Sequence, residues 1–243
     1  MDATYILLGL GGLAGGFISG LTGFGTGLAA MPFWLLAAAP PVAAQLAAAA
    51  AVIGQIQTIR VIWPAVRWRN LGHFVIAGLI GVPIGTLLLP MVPADVFKLG
   101  VGIFLVGFCA FMLLARQTWL LTKRRFFGDV AIGFGGGVLG GLSGLPGPLP
   151  IAWASLHDWP RDEKRALFQV FNFAVLSAML AASAVAGLMT SAVFIGMAIV
   201  VPGVLLGNHI GVIVYRRLDA RRFDRIVLAI LLLSGLGLII SNI

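Results

Sequence analysis

Two short stretches of this chain hold residue types that can bind an anion without a formal positive charge. The first is Ser19-Gly20-Leu21-Thr22-Gly23-Phe24-Gly25-Thr26-Gly27, and the second is Gly140-Gly141-Leu142-Ser143-Gly144-Leu145-Pro146-Gly147-Pro148-Leu149-Pro150. Ser19-Gly20-Leu21-x-Gly23 aligns with Ser143-Gly144-Leu145-x-Gly147 at an offset of 124 residues, and the same offset sets Gln45 on Gln169. Glycine lets the backbone approach a ligand closely and take positive φ. Glycine and proline at this density break a helix. A helix that restarts after a break presents unpaired N–H groups and a positive dipole end. Helical halves restarting near Thr26 and Pro150 would aim those groups at a common centre, which is anion-binding chemistry. The substrate-lining candidates are therefore Ser19, Gly20, Thr22, Gly23, Gly25, Thr26, Ser143, Gly144 and Gly147. Gln169 and Asn172 join them, since a spacing of i, i+3 sets both on one helix face.

The elements that carry these stretches belong in a membrane. Of 243 residues, 60% are hydrophobic and 10% charged, against about 25% charged in a soluble domain. A soluble enzyme, a nucleic-acid-binding domain and a disordered regulator are excluded, because so few charges cannot clothe a water-facing surface. Eight apolar segments are predicted: Thr4–Ala39, Val42–Trp63, Leu71–Val92, Val96–Ala115, Phe127–His157, Ala166–Gly187, Ala192–Tyr215 and Phe223–Ile243. Crossing about 30 Å of hydrocarbon takes roughly 20 residues. The N-terminus has no basic residue before its first apolar stretch, so no signal peptide is expected. The net charge of +8 reads as cytoplasmic loops rather than as nucleic-acid binding.

Charge placement separates two topologies. If all eight segments cross, seven Lys and Arg face one side and nine the other, which violates the positive-inside rule. If segments 1 and 5 are hairpins that enter and return, fifteen basic residues share one side and only Lys98 faces the other. The expected fold is therefore an all-α integral membrane protein of two tandem repeats, 1–122 and 123–243. Each is a Gly-rich broken, re-entrant hairpin followed by three transmembrane helices. Three crossings are odd, so the second repeat is inverted relative to the first, as in many transporters. Both termini are expected on the non-cytoplasmic side.

The acids Asp95, Asp158, Asp162, Glu163, Asp219 and Asp224 read as loop residues, and Asp129 as a segment end. With no acid inside a crossing segment, a cation substrate is not expected. Trp34 and Trp153 flank the hairpins, as cavity walls or as packing. Proton coupling, where present, would lean on His209 or His73. A potential of 100 mV, inside negative, drives each negative charge outward with about 2.3 kcal/mol, so export of a small anion is the easiest direction. An anion channel is an alternative. An intramembrane serine hydrolase is another, with Gly141-x-Ser143-Gly144 carrying the nucleophile and His209 the base. A membrane scaffold would not need paired broken helices.

The run Gly11-Gly12-Leu13-Ala14-Gly15-Gly16-Phe17-Ile18-Ser19-Gly20-Leu21-Thr22-Gly23-Phe24-Gly25, followed by Pro32, and the second glycine block from Gly133 to Pro150 resemble the TauE/SafE family of membrane permeases, the sulfite exporter or toluene-sulfonate uptake family. The resemblance spans the whole chain. It implies transport of sulfur-containing anions such as sulfite, sulfoacetate or related organosulfonates, with the two Gly-rich blocks as the substrate region. Thr26 and the Pro146/Pro148 pair depart from the family pattern. The location implied is the bacterial inner membrane. The partners expected are the small anionic substrate and the lipid bilayer, without nucleic acid or cofactor, and a homodimer is left open.

Overall fold

The computed structural model of the chain describes residues 3–22, 24–114, 126–157 and 159–215, and helical positions at 232, 236, 239 and 240. The elements are α1 (Ala3–Thr22), α2 (Thr26–Ala37), α3 (Pro40–Ile62), α4 (Trp68–Leu88), α5 (Ala94–Leu114), α6 (Phe126–Ser143), α7 (Pro148–Ser155), α8 (Arg161–Val185) and α9 (Ser191–Tyr215), with 3-10 turns at Trp63–Ala65 and Leu89–Met91. Six of these helices, α1, α4, α5, α6, α8 and α9, are long and apolar enough to cross a membrane. In α3 the described apolar stretch is Pro40–Ile56. The predicted boundary between the halves, and all of segment Phe223–Ile243 but four helical positions, lie outside the described residues.

Segments 1 and 5 each fold as two helices lying back to back. A Cβ added at Gly15 would come within 2.7 Å of the Thr26 carbonyl and 3.0 Å of Ala30, and one at Gly11 would strike Trp34. The sequence order reverses across this contact, so α2 runs antiparallel along α1. The buried Trp34 ties the pair by donating its indole N–H to the Leu8 carbonyl at 3.1 Å. In segment 5, Gly140 packs on Pro146 and Gly135 on Leu149. Trp153 donates its indole N–H to Asp129 Oδ1 at 2.7 Å. Again the second helix folds back along the first.

The breaks are narrower than the glycine content suggests. Ser19 and Gly20 are helical within α1, and Gly140, Gly141 and Ser143 within α6. Each glycine costs up to about 1 kcal/mol in a helix, but these glycines let helix backbones touch, the usual packing of small residues in membranes. Gly12 and Gly16 meet the Val200 and Val204 carbonyls of α9, while Gly203 and Gly207 of α9 meet the α1 backbone at Gly9, Leu13 and Phe17. The same construction joins α4 to α6. Gly137 and Gly141 meet the Gly78 and Val82 carbonyls, while Gly81 and Gly85 meet the backbone at Phe134, Val138 and Leu142. In both interfaces the numbers rise together, so α1 runs parallel to α9 and α4 to α6. The core between them is α3 and α8, where Ala43, Ala44, Ala47 and Ala48 face Leu167, Phe171, Val175 and Met179 in one buried cluster.

Candidate functional site

Each hairpin breaks at a glycine with positive φ. Gly25 has φ 85° and Gly144 φ 69°, a region open to glycine and strained for other residues. The two bends touch. A Cβ at Gly27 would lie 3.2 Å from the Gly144 carbonyl and 3.4 Å from Ala47, and a Cβ at Gly144 would lie 2.8 Å from the Ala44 carbonyl and 3.0 Å from Ala47. The first bend reaches α8 through an edge-on contact of the Phe24 and Phe168 rings, 5.6 Å between centroids. The second reaches α8 where Gly147 faces the Asn172 amide, whose atoms lie 3.1 and 3.2 Å from the Gly147 Cβ position. Both bends thus meet the N-terminal turns of α3 and the N-terminal half of α8.

Those turns hold polar groups that the protein itself leaves unanswered. Gln45 is fully buried and Gln169 is 1% exposed, and neither atom of either side-chain amide has a hydrogen-bond partner. The same is true of Thr26 Oγ1 and Asn172 Oδ1. Buried polar groups are nearly always bonded, and an exception points to a bound molecule or a functional role. Gln45 and Gln169 are the pair that the 124-residue offset aligns. Sequence reasoning left Gln45 out of the site, although its alignment with Gln169 was the signal that could have found it.

The other candidates divide. Gly20 packs against Asn208 of α9 and serves helix contact. Ser19 is buried, with its hydroxyl 3.5 Å from the Gly54 Cβ position. Ser143 donates its hydroxyl to the Leu139 carbonyl one turn back, at 2.8 Å, which leaves no proton there for an anion. Gly23 lies outside the described residues, and of Thr22 only its place at the end of α1 is described. The helix N-termini are unequal. The first turn of α2 holds free amides at Thr26, Gly27 and Leu28, with Ala29 N–H already given to the Gly25 carbonyl. Helix α7 begins at Pro148, before the expected Pro150. Prolines at 148 and 150 have no N–H, and the Ile151 N–H bonds the Gly147 carbonyl, so Leu149 is the free amide there.

Several polar residues differ from their sequence reading. Asp95 and Glu163 lie in the first turns of α5 and α8 rather than in loops, while Asp129 lies in the first turn of α6, at the end of its segment. Asp129 is 1% exposed, and its second oxygen pairs with His73 Nε2 at 2.9 Å. Trp34 and Trp153 are hairpin ties. His209 is exposed on α9, and Ser143 is bonded to Leu139, so the serine–histidine pair of a hydrolase does not form. An apolar cavity of about 410 Å³ runs beside α7, lined by Phe104, Phe108, Pro148, Leu149, Trp153 and Leu156, away from the polar groups of the site.

Long apolar helices wrapped around paired bends with unanswered polar groups define a multi-pass membrane protein. The chain belongs to the sulfite exporter TauE/SafE family, whose model matches residues 7–238, nearly its whole length. This is a family of transporters, so the protein is a membrane transporter and not an enzyme. Neither the curated proteins nor the solved structures searched give a match.

Proposed function

We propose that the protein is a carrier for small sulfur-containing anions, sulfite, sulfoacetate or related organosulfonates, and that it exports them from the cell across a bacterial inner membrane. The anion binds near the bilayer midplane between the bends at Gly25 and Gly144, with the Thr26 hydroxyl, the first-turn amides of α2 and the amides of Gln45, Gln169 and Asn172 as donors. The observation that carries this reading is the set of buried, unpartnered donors Thr26 Oγ1, Gln45 Nε2 and Gln169 Nε2 on the elements that the bends meet. An oxyanion accepts several hydrogen bonds at once and suits such donors.

The transport cycle we infer is a rocking of two inverted repeats about this site. Its support is directional. Helices α1, α3 and α9 run one way, as the contacts of Leu46 with Gly196 and of Gly54 with Val204 add to those of α1 with α9. Helix α4 returns from α3 through a short connection, and α6 runs with α4. The first hairpin therefore enters opposite to the second. The two glycine-lined interfaces, α1 with α9 and α4 with α6, are then equivalent surfaces. The fifteen basic residues on one side of this topology set it inward, with both termini outside.

The test is flux in proteoliposomes with a valinomycin-set potential and no pH gradient. Potential-driven movement of sulfite and sulfonates is expected. Absence of flux under any potential, proton or sodium gradient would refute the carrier reading.

A further inference from the structure

The donors at the bends are all neutral, and this bears on the charge of the cargo. No Lys or Arg occurs in α1, α2, α6 or α7, in α3 before Arg60, or in α8 after Arg165. The only acid in the same stretches of the hairpins and the two central helices is Asp129, at the far end of α6 and held by His73 and Trp153. The positive potential available to a buried anion therefore comes from two helix N-termini. Each carries roughly half an elementary charge, and that of α7 is depleted of amides by Pro148 and Pro150. Together they balance about one negative charge. The cost of taking an ion out of water grows with the square of its charge, so a second negative charge would enter a buried site with nothing left to answer it. An ammonium group fares no better, because the site has no carboxylate to receive it.

We propose that the site selects singly charged oxyanions without an ammonium group: alkyl sulfonates and hydrogen sulfite, in preference to the dianions sulfite, sulfate and sulfoacetate, so that sulfoacetate ranks as a weaker cargo, and to zwitterionic aminosulfonates. The inference rests on the anion-carrier reading above and adds a charge rule to it. The neutral amides of Gln45, Gln169 and Asn172 supply directional hydrogen bonds to the three oxygens, and the helix ends supply the single compensating charge. Sulfite itself becomes a good cargo as its singly protonated form.

The experiment is competition against labelled methanesulfonate exchange in proteoliposomes holding the full chain, at constant ionic strength. Unlabelled 2-hydroxyethanesulfonate should compete at concentrations at least about tenfold lower than sulfate or 2-aminoethanesulfonate. Sulfite should compete better as pH falls through the range in which the dianion takes up its first proton and becomes hydrogen sulfite. Sulfate competing as well as the sulfonate would overturn the charge rule. An aminosulfonate competing equally would overturn the exclusion of ammonium. No methanesulfonate exchange at all, in protein that still exchanges sulfite, would overturn the charge rule alone. Exchange of neither would overturn the carrier reading and the rule with it.

Discussion

Replacing Gln169 by Met should make the unliganded protein more stable and the transporter worse. Gln169 is 1% exposed, and both atoms of its amide lack a protein partner. An unsatisfied buried polar group costs about 1–3 kcal/mol. Methionine is unbranched, adaptable and close in volume, so the substitution removes that cost with little change in packing. The expected gain is therefore about 1–3 kcal/mol in the absence of anion. Loss of one hydrogen bond to bound anion, at about 1.4 kcal/mol, corresponds to a tenfold loss of affinity. The assay pairs equilibrium unfolding in mixed micelles with sulfonate exchange in proteoliposomes, on the same preparation. The sign of the stability change decides the matter. A glutamine that bonds across helices would lose about 0.6 kcal/mol on substitution. A destabilised Gln169→Met protein would refute the reasoning that assigns this amide to the cargo.

Three further predictions use the same unfolding measurement. Gly137→Ala drives a methyl into the Gly78 backbone, 2.7 Å from its Cα, and should cost about 1–3 kcal/mol by overpacking; Gly100→Ala, with nothing within 4 Å, should gain up to about 1 kcal/mol, and equal effects would contradict the glycine-lined interface. Gly144→Ala and Gly187→Ala both impose a left-handed conformation on alanine, at φ 69° and 73°, at about 1–2 kcal/mol each; only Gly144 also meets the Ala44 carbonyl, so it alone should lose sulfonate exchange, and retained exchange would remove the second bend from the site. Asp129→Asn should cost about 1.5–3 kcal/mol through its charged hydrogen bonds, toward the lower figure because the His73 side chain is 20% exposed; a double-mutant cycle with Trp153→Phe should show coupling above about 0.5 kcal/mol, and additivity would argue against the hairpin tie.

Much of the site was legible as a repeat but not as a geometry. The aligned Ser-Gly-Leu-x-Gly stretches located both bends, and the 124-residue offset paired Gln45 with Gln169. Glycine density, however, overstated the breaks. Gly20 and Gly141 look like helix breakers in the chain and are helix contacts in the fold. A local propensity of about 1 kcal/mol cannot show whether a partner backbone waits across the gap. Ser143 was assigned as a donor to cargo because a hydroxyl can donate in any direction. In the helix it turns back on Leu139, a choice that its residue type does not reveal. Asp129 read as a segment end because an acid is costly in lipid. Trp153 and His73, which lie 24 and 56 residues away in the chain, make its burial tolerable.

The sequence by itself determined the solvent. Apolar length and scarcity of charge act through hydration and hold however the helices pack. Only the tertiary structure decided where each hairpin turns, that the two bends touch each other, and which polar atoms stay unanswered there. Those outcomes depend on contacts between α1 and α9, α4 and α6, and α3 and α8. Each contact joins residues remote in the chain, and whether a buried amide is satisfied is a property of its neighbours rather than of its own residue type.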